Sequence, residues 1–188
     1  MCATWDASAE AERAFGSFQR STVEAMKVLA EAGLYTQLMM IMYGAIDAAG
    51  LLDAPLGTID ADGETFRDWV DKYMIPGARL QASAADLWGA RCALLHAYGA
   101  ESKLSRNAKV REVAAYWSSS DPSIAQARCD EVKRMTGREV VPVELGALIE
   151  AFGAGFAQFA SDFAGKCRAD KRWEGRARKL VAHYRIPG

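Results

Sequence analysis

Leu145, Leu148, Ile149, Phe152, Phe156, Phe159 and Phe163 recur at steps of three, four and one residues. That spacing puts them along one side of a helix, and an aromatic stripe of this width has to be covered by other parts of the chain. It reads as core rather than as a cofactor box. "FGAGF" at 152–156 contains a Gly-x-Gly, but no third glycine follows at the spacing of a dinucleotide-binding turn. Gly153 and Gly155 therefore read as places where another element approaches the helix closely.

The same periodicity organises much of the chain. Ser21 and Glu24 have the spacing of a capping box, and Val23, Met26, Ala30, Leu34, Leu38, Ile41 and Ala45 follow at helical steps. This predicts one long helix, or two broken near Gly33, ending about Gly50, with residues 1–20 as a loose arm. "DGETFRDWVDKYMIPG" predicts a short helix from Asp62 stopped at Pro76 and Gly77, with Phe66, Trp69, Val70 and Tyr73 inward. Ser83 and Asp86 form a second capping box for a helix over 84–98, with Gly99 as its stop. Asp121, Pro122 and Gly137 bracket a helix over 123–136, and Trp173, Ala177, Leu180 and Tyr184 mark a last one. Residues 110–117 and 138–143 are β-branched and aromatic, and predict a small hairpin with Pro142 on an edge strand. The expected fold is mainly α: a helical bundle in a single domain, 1–188, carrying that small β-hairpin.

Composition removes several classes of function. A hydrophobic content of 51% in 188 residues supports a packed core, and a net charge of −1 lacks the basic excess of a general nucleic-acid binder. Any polyanion must be met by a local patch. Cys2, Cys92, Cys129 and Cys167 form no Cys-x-x-Cys pair, so the spacing supports neither a metal site nor a disulfide framework, and no cofactor is indicated. The cysteines read as the reduced thiols of a cytoplasmic protein. No leader pattern opens the sequence, and its most apolar run, "LMMIMYGAI", is too short to cross a bilayer, so no membrane association is expected.

"ARCALLHAYG", residues 90–99, sets Arg91 and one of the two histidines, His96, among small and apolar neighbours. On a helical projection Arg91 falls within the stripe of Leu87, Trp88, Leu94, Leu95 and Tyr98, while His96 falls about 140° away beside Gly89, Cys92 and Ala93. Two readings follow. Arg91 is a structural cation paired with an acid such as Asp47, Asp68 or Asp71, and His96 binds the last carbonyls of its helix; or the two have been brought to one cleft to bind a phosphate and move a proton.

The run "DLWGARCALLHAYG", with Arg91, four intervening residues and His96 near the end of a central helix, resembles the Arg-x(4 to 6)-His motif helix of the HEPN superfamily. The resemblance covers roughly residues 22–99, and departs from catalytic members at Cys92, where they often carry a polar residue. It implies a HEPN-like helical fold, with Arg91 and His96 as catalytic residues of a metal-independent endoribonuclease. It also implies a toxin-antitoxin setting with an antitoxin-like partner, and an active site shared by a homodimer. A second copy would also bring together residues that one helix holds apart, and the small face at Gly89 would admit it. The alternative is a non-catalytic HEPN-like binding or interaction module in which both residues are structural.

The electrostatic footprint lies elsewhere. Residues 161–188 carry eight basic and three acidic side chains, a balance of +5, leaving −6 on the rest of the chain. Lys171, Arg172, Arg176 and Lys179 are the candidate RNA or phosphate contacts, with Lys103, Arg106, Lys109 and Arg111 in support. His183 reads as a surface histidine.

Overall fold

The computed structural model describes residues 9–117 and 121–182. The protein is mainly helical, with one two-stranded sheet, as the periodicity predicts. Cys2, residues 1–8 of the expected arm, His183, Tyr184 and Arg185 lie outside the described residues. The chain's contacts group into two compact units: residues up to Thr65 together with those from Phe156, and residues Phe66–Gly155.

In the first unit, α1 (Ala9–Glu31) and α2 (Tyr35–Asp53) pack on each other and on α8 (Arg172–Ala182). The expected helix start at Ser21 is wrong. Ser21 lies inside α1, where its hydroxyl donates to the Phe18 carbonyl at 3.1 Å, and residues 9–20 are helix rather than a loose arm. Ala11, Phe15, Phe18, Thr22 and Met26 extend the apolar stripe backwards at steps of three and four, and that stripe outweighs the cap-like signal at Ser21. The Phe15 ring meets Phe159 and Phe163 of α7 (Leu145–Ala169) at centroid distances of 5.8 and 5.2 Å. The break falls at Gly33, whose φ of 69° lies in the left-handed region that favours glycine.

In the second unit, Phe66 and Trp69 of α3 (Gly63–Trp69) are buried, as are Val70 and Tyr73 of the π-helical turn Val70–Met74 that follows. After α4 (Ala84–Ala97) and the short α5 (Lys103–Arg106), β1 (Glu112–Tyr116) is joined to β2 (Val140–Glu144) through α6 (Pro122–Thr136). Both strands fall where the sequence places them, but they run parallel, with Glu112 opposite Val140 and Tyr116 opposite Glu144, so the expected hairpin is replaced by a βαβ unit. The physical reason is the helix between them: it returns the chain to the end from which β1 started, whereas a hairpin needs a short turn. Pro142 is accommodated because each strand of a two-stranded sheet has a free edge.

Gly155 is one of the two glycines expected to admit a close neighbour. A Cβ placed on it would stand 2.6 Å from the carbonyl oxygen of Tyr73, while at Gly153 it would meet nothing within 4 Å. The Gly-x-Gly of α7 thus has one packing position and one open position.

Candidate functional site

Helix α4 is fixed at both ends by local chemistry. Ser83 accepts from the Asp86 amide at 3.2 Å and Asp86 accepts from the Ser83 amide at 2.9 Å, closing the capping box the sequence predicts. The Asp86 carboxylate also accepts from the Arg111 amide at 2.8 Å, its Nε at 3.1 Å and its Nη2 at 2.6 Å. Burial raises the Asp86 pKa, but the hydrogen bonds from Arg111 and Ser83 outweigh it and hold the carboxyl below its ordinary range. At the other end Tyr98, not Gly99, takes the left-handed conformation, with φ 50°. A side chain in that conformation is strained, so the turn holds Tyr98 where glycine would sit with less cost.

Gly89 does not present an open small face. A Cβ there would stand 2.6 Å from Val110 Cγ2, with the Ser102 hydroxyl at 3.7 Å, so the same chain already occupies the space expected for a second copy.

Arg91 is half-buried and His96 is exposed. Arg91 Nη1 lies 3.2 Å from His96 Nε2, and the guanidinium carbon sits 4.9 Å from the centroid of the Trp88 ring. This overturns the expectation that one helix keeps the two residues apart. The 140° separation describes the directions of the Cβ atoms; a long arginine side chain can cross that angle along the helix surface. Because a guanidinium can only donate, a hydrogen bond across this contact uses the His96 tautomer whose proton is on Nδ1. The site therefore places a guanidinium and an imidazole side by side, at the exposed end of a helix. Asp68 and Asp71, two of the three acids considered as partners of Arg91, are exposed and form no ion pair with it.

Unengaged cations accompany α4 in the same unit. Lys103, Arg106 and Lys109 are exposed, and no described residue partners their side chains. They belong to α5 and the turn after it, and α5 packs on α4. Arg111, grouped with them from the sequence, is engaged with Asp86 instead.

Of the four candidate phosphate contacts on and before α8, three line one cavity of about 690 Å³ in the first unit: Arg172, Arg176 and Lys179. Lys171 is exposed and does not line it. Arg176 has a role the sequence does not show. Its Nη1 donates to the carbonyls of Leu51 and Ala54, and its Nη2 to those of Pro55 and Thr58, each at 2.7 Å for the last three. It closes the C-terminal end of α2 and ties the following loop to α8. Lys166 supports the same region from α7, at 2.6 Å from Asp53 Oδ1.

Among the described residues, no group of three or more His, Cys, Asp or Glu could hold a metal ion, and no helix is long and apolar enough to cross a membrane. Cys92, Cys129 and Cys167 are in no disulfide, and burial pushes the pKa of Cys167 up to about 12, leaving it a poor nucleophile. Comparison with family models, curated proteins and solved structures finds no match to this chain.

Proposed function

We propose that the chain is a HEPN-like protein that cleaves RNA without a metal ion, through Arg91 and His96. One observation carries the reading: the 3.2 Å approach of Arg91 Nη1 to His96 Nε2 at the exposed end of α4. RNA contains its own nucleophile, so an enzyme needs to align the 2′-hydroxyl with the phosphate, stabilise the charge that develops on phosphorus, and move protons. Arg91 turns from His96 to the phosphate and neutralises that charge, with Trp88 holding the guanidinium stem. His96 Nε2, released by that turn, takes the 2′-hydroxyl proton. The 2′-oxygen then bonds to phosphorus, the 5′-oxygen leaves and takes a proton from water, and the products are a 2′,3′-cyclic phosphate and a 5′-hydroxyl end. Lys103, Arg106 and Lys109 supply sequence-independent contacts to flanking phosphates.

The resemblance behind this reading brings two partners with it, an antitoxin-like protein and a second copy of the chain. Because both residues meet on one helix, catalysis in this scheme does not depend on the second copy. Light scattering on the purified protein, read beside activity per subunit across concentrations, separates a site within one chain from a site built by a dimer.

The same contact also supports the non-catalytic module, since a guanidinium stacked on Trp88 and bound to His96 can serve as a surface staple. Purified wild type and His96→Ala are incubated with structured and single-stranded RNAs, with and without EDTA. Cleavage that survives chelator and disappears in His96→Ala supports the ribonuclease. Cleavage that persists in the variant, or stops with chelator, overturns the mechanism, and an inactive wild type favours the module.

A further inference from the structure

The cavity beside α8 has two features that an RNA contact does not require. Its apolar lining is Leu51, Leu52 and Leu56, with the exposed Ile59 at the rim, and no carboxylate is among its lining residues. Its polar wall comes from one face of α8, where Arg172, Arg176 and Lys179 follow at four- and three-residue steps. A volume of about 690 Å³ is within the range of small-ligand pockets.

The three cations differ in what they can offer a ligand. The Nη hydrogens of Arg176 are engaged by four backbone carbonyls, so this residue holds the loop 51–58 in place and cancels the negative end of α2 beneath the cavity. Arg172 is bound to Asp170 at 2.6 Å, and its side chain is 77% exposed. Lys179 is exposed, with no side-chain partner among the described residues. A hydrated phosphate would gain one clear contact and leave the leucine lining in water. A chain of methylenes ending in one negative charge would cover that lining and meet Lys179 at its head.

We propose that this cavity binds a free, singly charged amphiphile, of the class of a medium-chain fatty carboxylate, with the acyl chain on Leu51, Leu52, Leu56 and Ile59 and the carboxylate at Lys179. The assignment is independent of the ribonuclease reading, because it uses no residue of α4.

Gly175 lines the cavity, and a Cβ built on it meets nothing within 4 Å, so a larger side chain there starts from open space on the cavity wall. Isothermal titration with dodecanoate below its micelle concentration tests the proposal on the full chain. The expected result is saturable binding at a single site that is abolished by Gly175→Leu and weakened about tenfold by Lys179→Gln, the effect of losing one charged contact. Far-ultraviolet circular dichroism and thermal melts of both variants show that they are folded. Dodecyltrimethylammonium, of opposite charge, and inorganic phosphate, without a chain, are expected not to bind. Dodecanoate binding that is unchanged in folded Gly175→Leu, equal binding of the cationic amphiphile, or capture by phosphatidylglycerol vesicles with no binding of free dodecanoate each overturns it.

Discussion

Arg111 Nη2 stands 2.6 Å from Asp86 Oδ2 across 25 residues of sequence, joining the first turn of α4 to the start of β1. The pair is asymmetric. The Asp86 side chain is 4% exposed and that of Arg111 41%, so water can solvate the cation but hardly the carboxylate. Removing the arginine is therefore the more damaging change, because it leaves a buried charge with fewer donors. Arg111→Ala is expected to destabilise the protein by about 2–3 kcal/mol in denaturant melts.

The same pair sets an acid limit. The folded Asp86 carboxyl lies below its unfolded value of about 3.9, so its stabilisation is fully present above that pH and is lost as pH falls through the folded value. In Arg111→Ala the opposing effect of burial has less to overcome it, and the acid limb of a stability-against-pH curve should move to higher pH. A limb that stays in place would show that Ser83 and the backbone amide of residue 111 are enough to hold Asp86.

Gly153 and Gly155 should respond in opposite directions to the same change. At Gly155 an added Cβ meets the backbone oxygen of Tyr73 at 2.6 Å, and main chain cannot rotate away as a side chain would. Gly155→Ala is expected to cost about 1–3 kcal/mol through overpacking. Gly153 has open space and lies inside a helix, so Gly153→Ala is expected to stabilise by about 0.5–1 kcal/mol. Paired thermal melts check both signs, and equal effects would remove the packing role assigned to Gly155.

What the sequence makes legible follows the range of the interactions involved. Asp121 with Pro122 and Gly137 mark both ends of α6, and Ser83 with Asp86 mark the start of α4, because caps act within one turn. The start of α1 is misread for the same reason: Ser21 and Glu24 have the spacing of a cap, and only the stripe from Ala11 to Met26 reveals that the helix is already under way. Strand pairing depends on where α6 returns the chain, so residues 110–117 and 138–143 announce strands without announcing their direction. At the site, Arg91 and His96 are visible as types in an unusual place, but their contact depends on a long side chain that an angular projection ignores. The hold of Arg176 on four carbonyls leaves no signal, since every residue carries the acceptor it uses.

Arg176 should accordingly behave as a structural cation. Arg176→Ala leaves four carbonyls around the end of α2 without their donor, and loss of about 3 kcal/mol is expected, since hydrogen bonds to a charged group are worth about 1.5–3 kcal/mol each and the loop can partly recover water. Arg176→Lys should rescue little, because an ammonium has three donors at one point and cannot span the fork. Hydrogen exchange of the amides in 51–58 reads the effect locally. Protection that survives in Arg176→Ala would mean the loop is held by its own packing.

His96→Ala separates chemistry from stability most cleanly. His96 is exposed, and its one described contact is the 3.2 Å bond from Arg91, so its loss should change stability by less than about 1 kcal/mol. If Nε2 is the base that takes the 2′-hydroxyl proton, the same variant should lose RNA cleavage by a factor on the order of 10² to 10⁴. Arg91→Lys complements it: a point charge remains for the phosphate, but the planar fork that meets His96 and stacks on Trp88 is gone, so activity should fall while binding to RNA persists. A staple would reverse the pattern, with stability moving in Arg91→Lys and no cleavage to lose in either protein. Product ends give an independent reading, because attack by the 2′-oxygen must leave a cyclic phosphate. A 3′-hydroxyl end would rule out His96 as the base for that attack, even in a variant that had lost all activity.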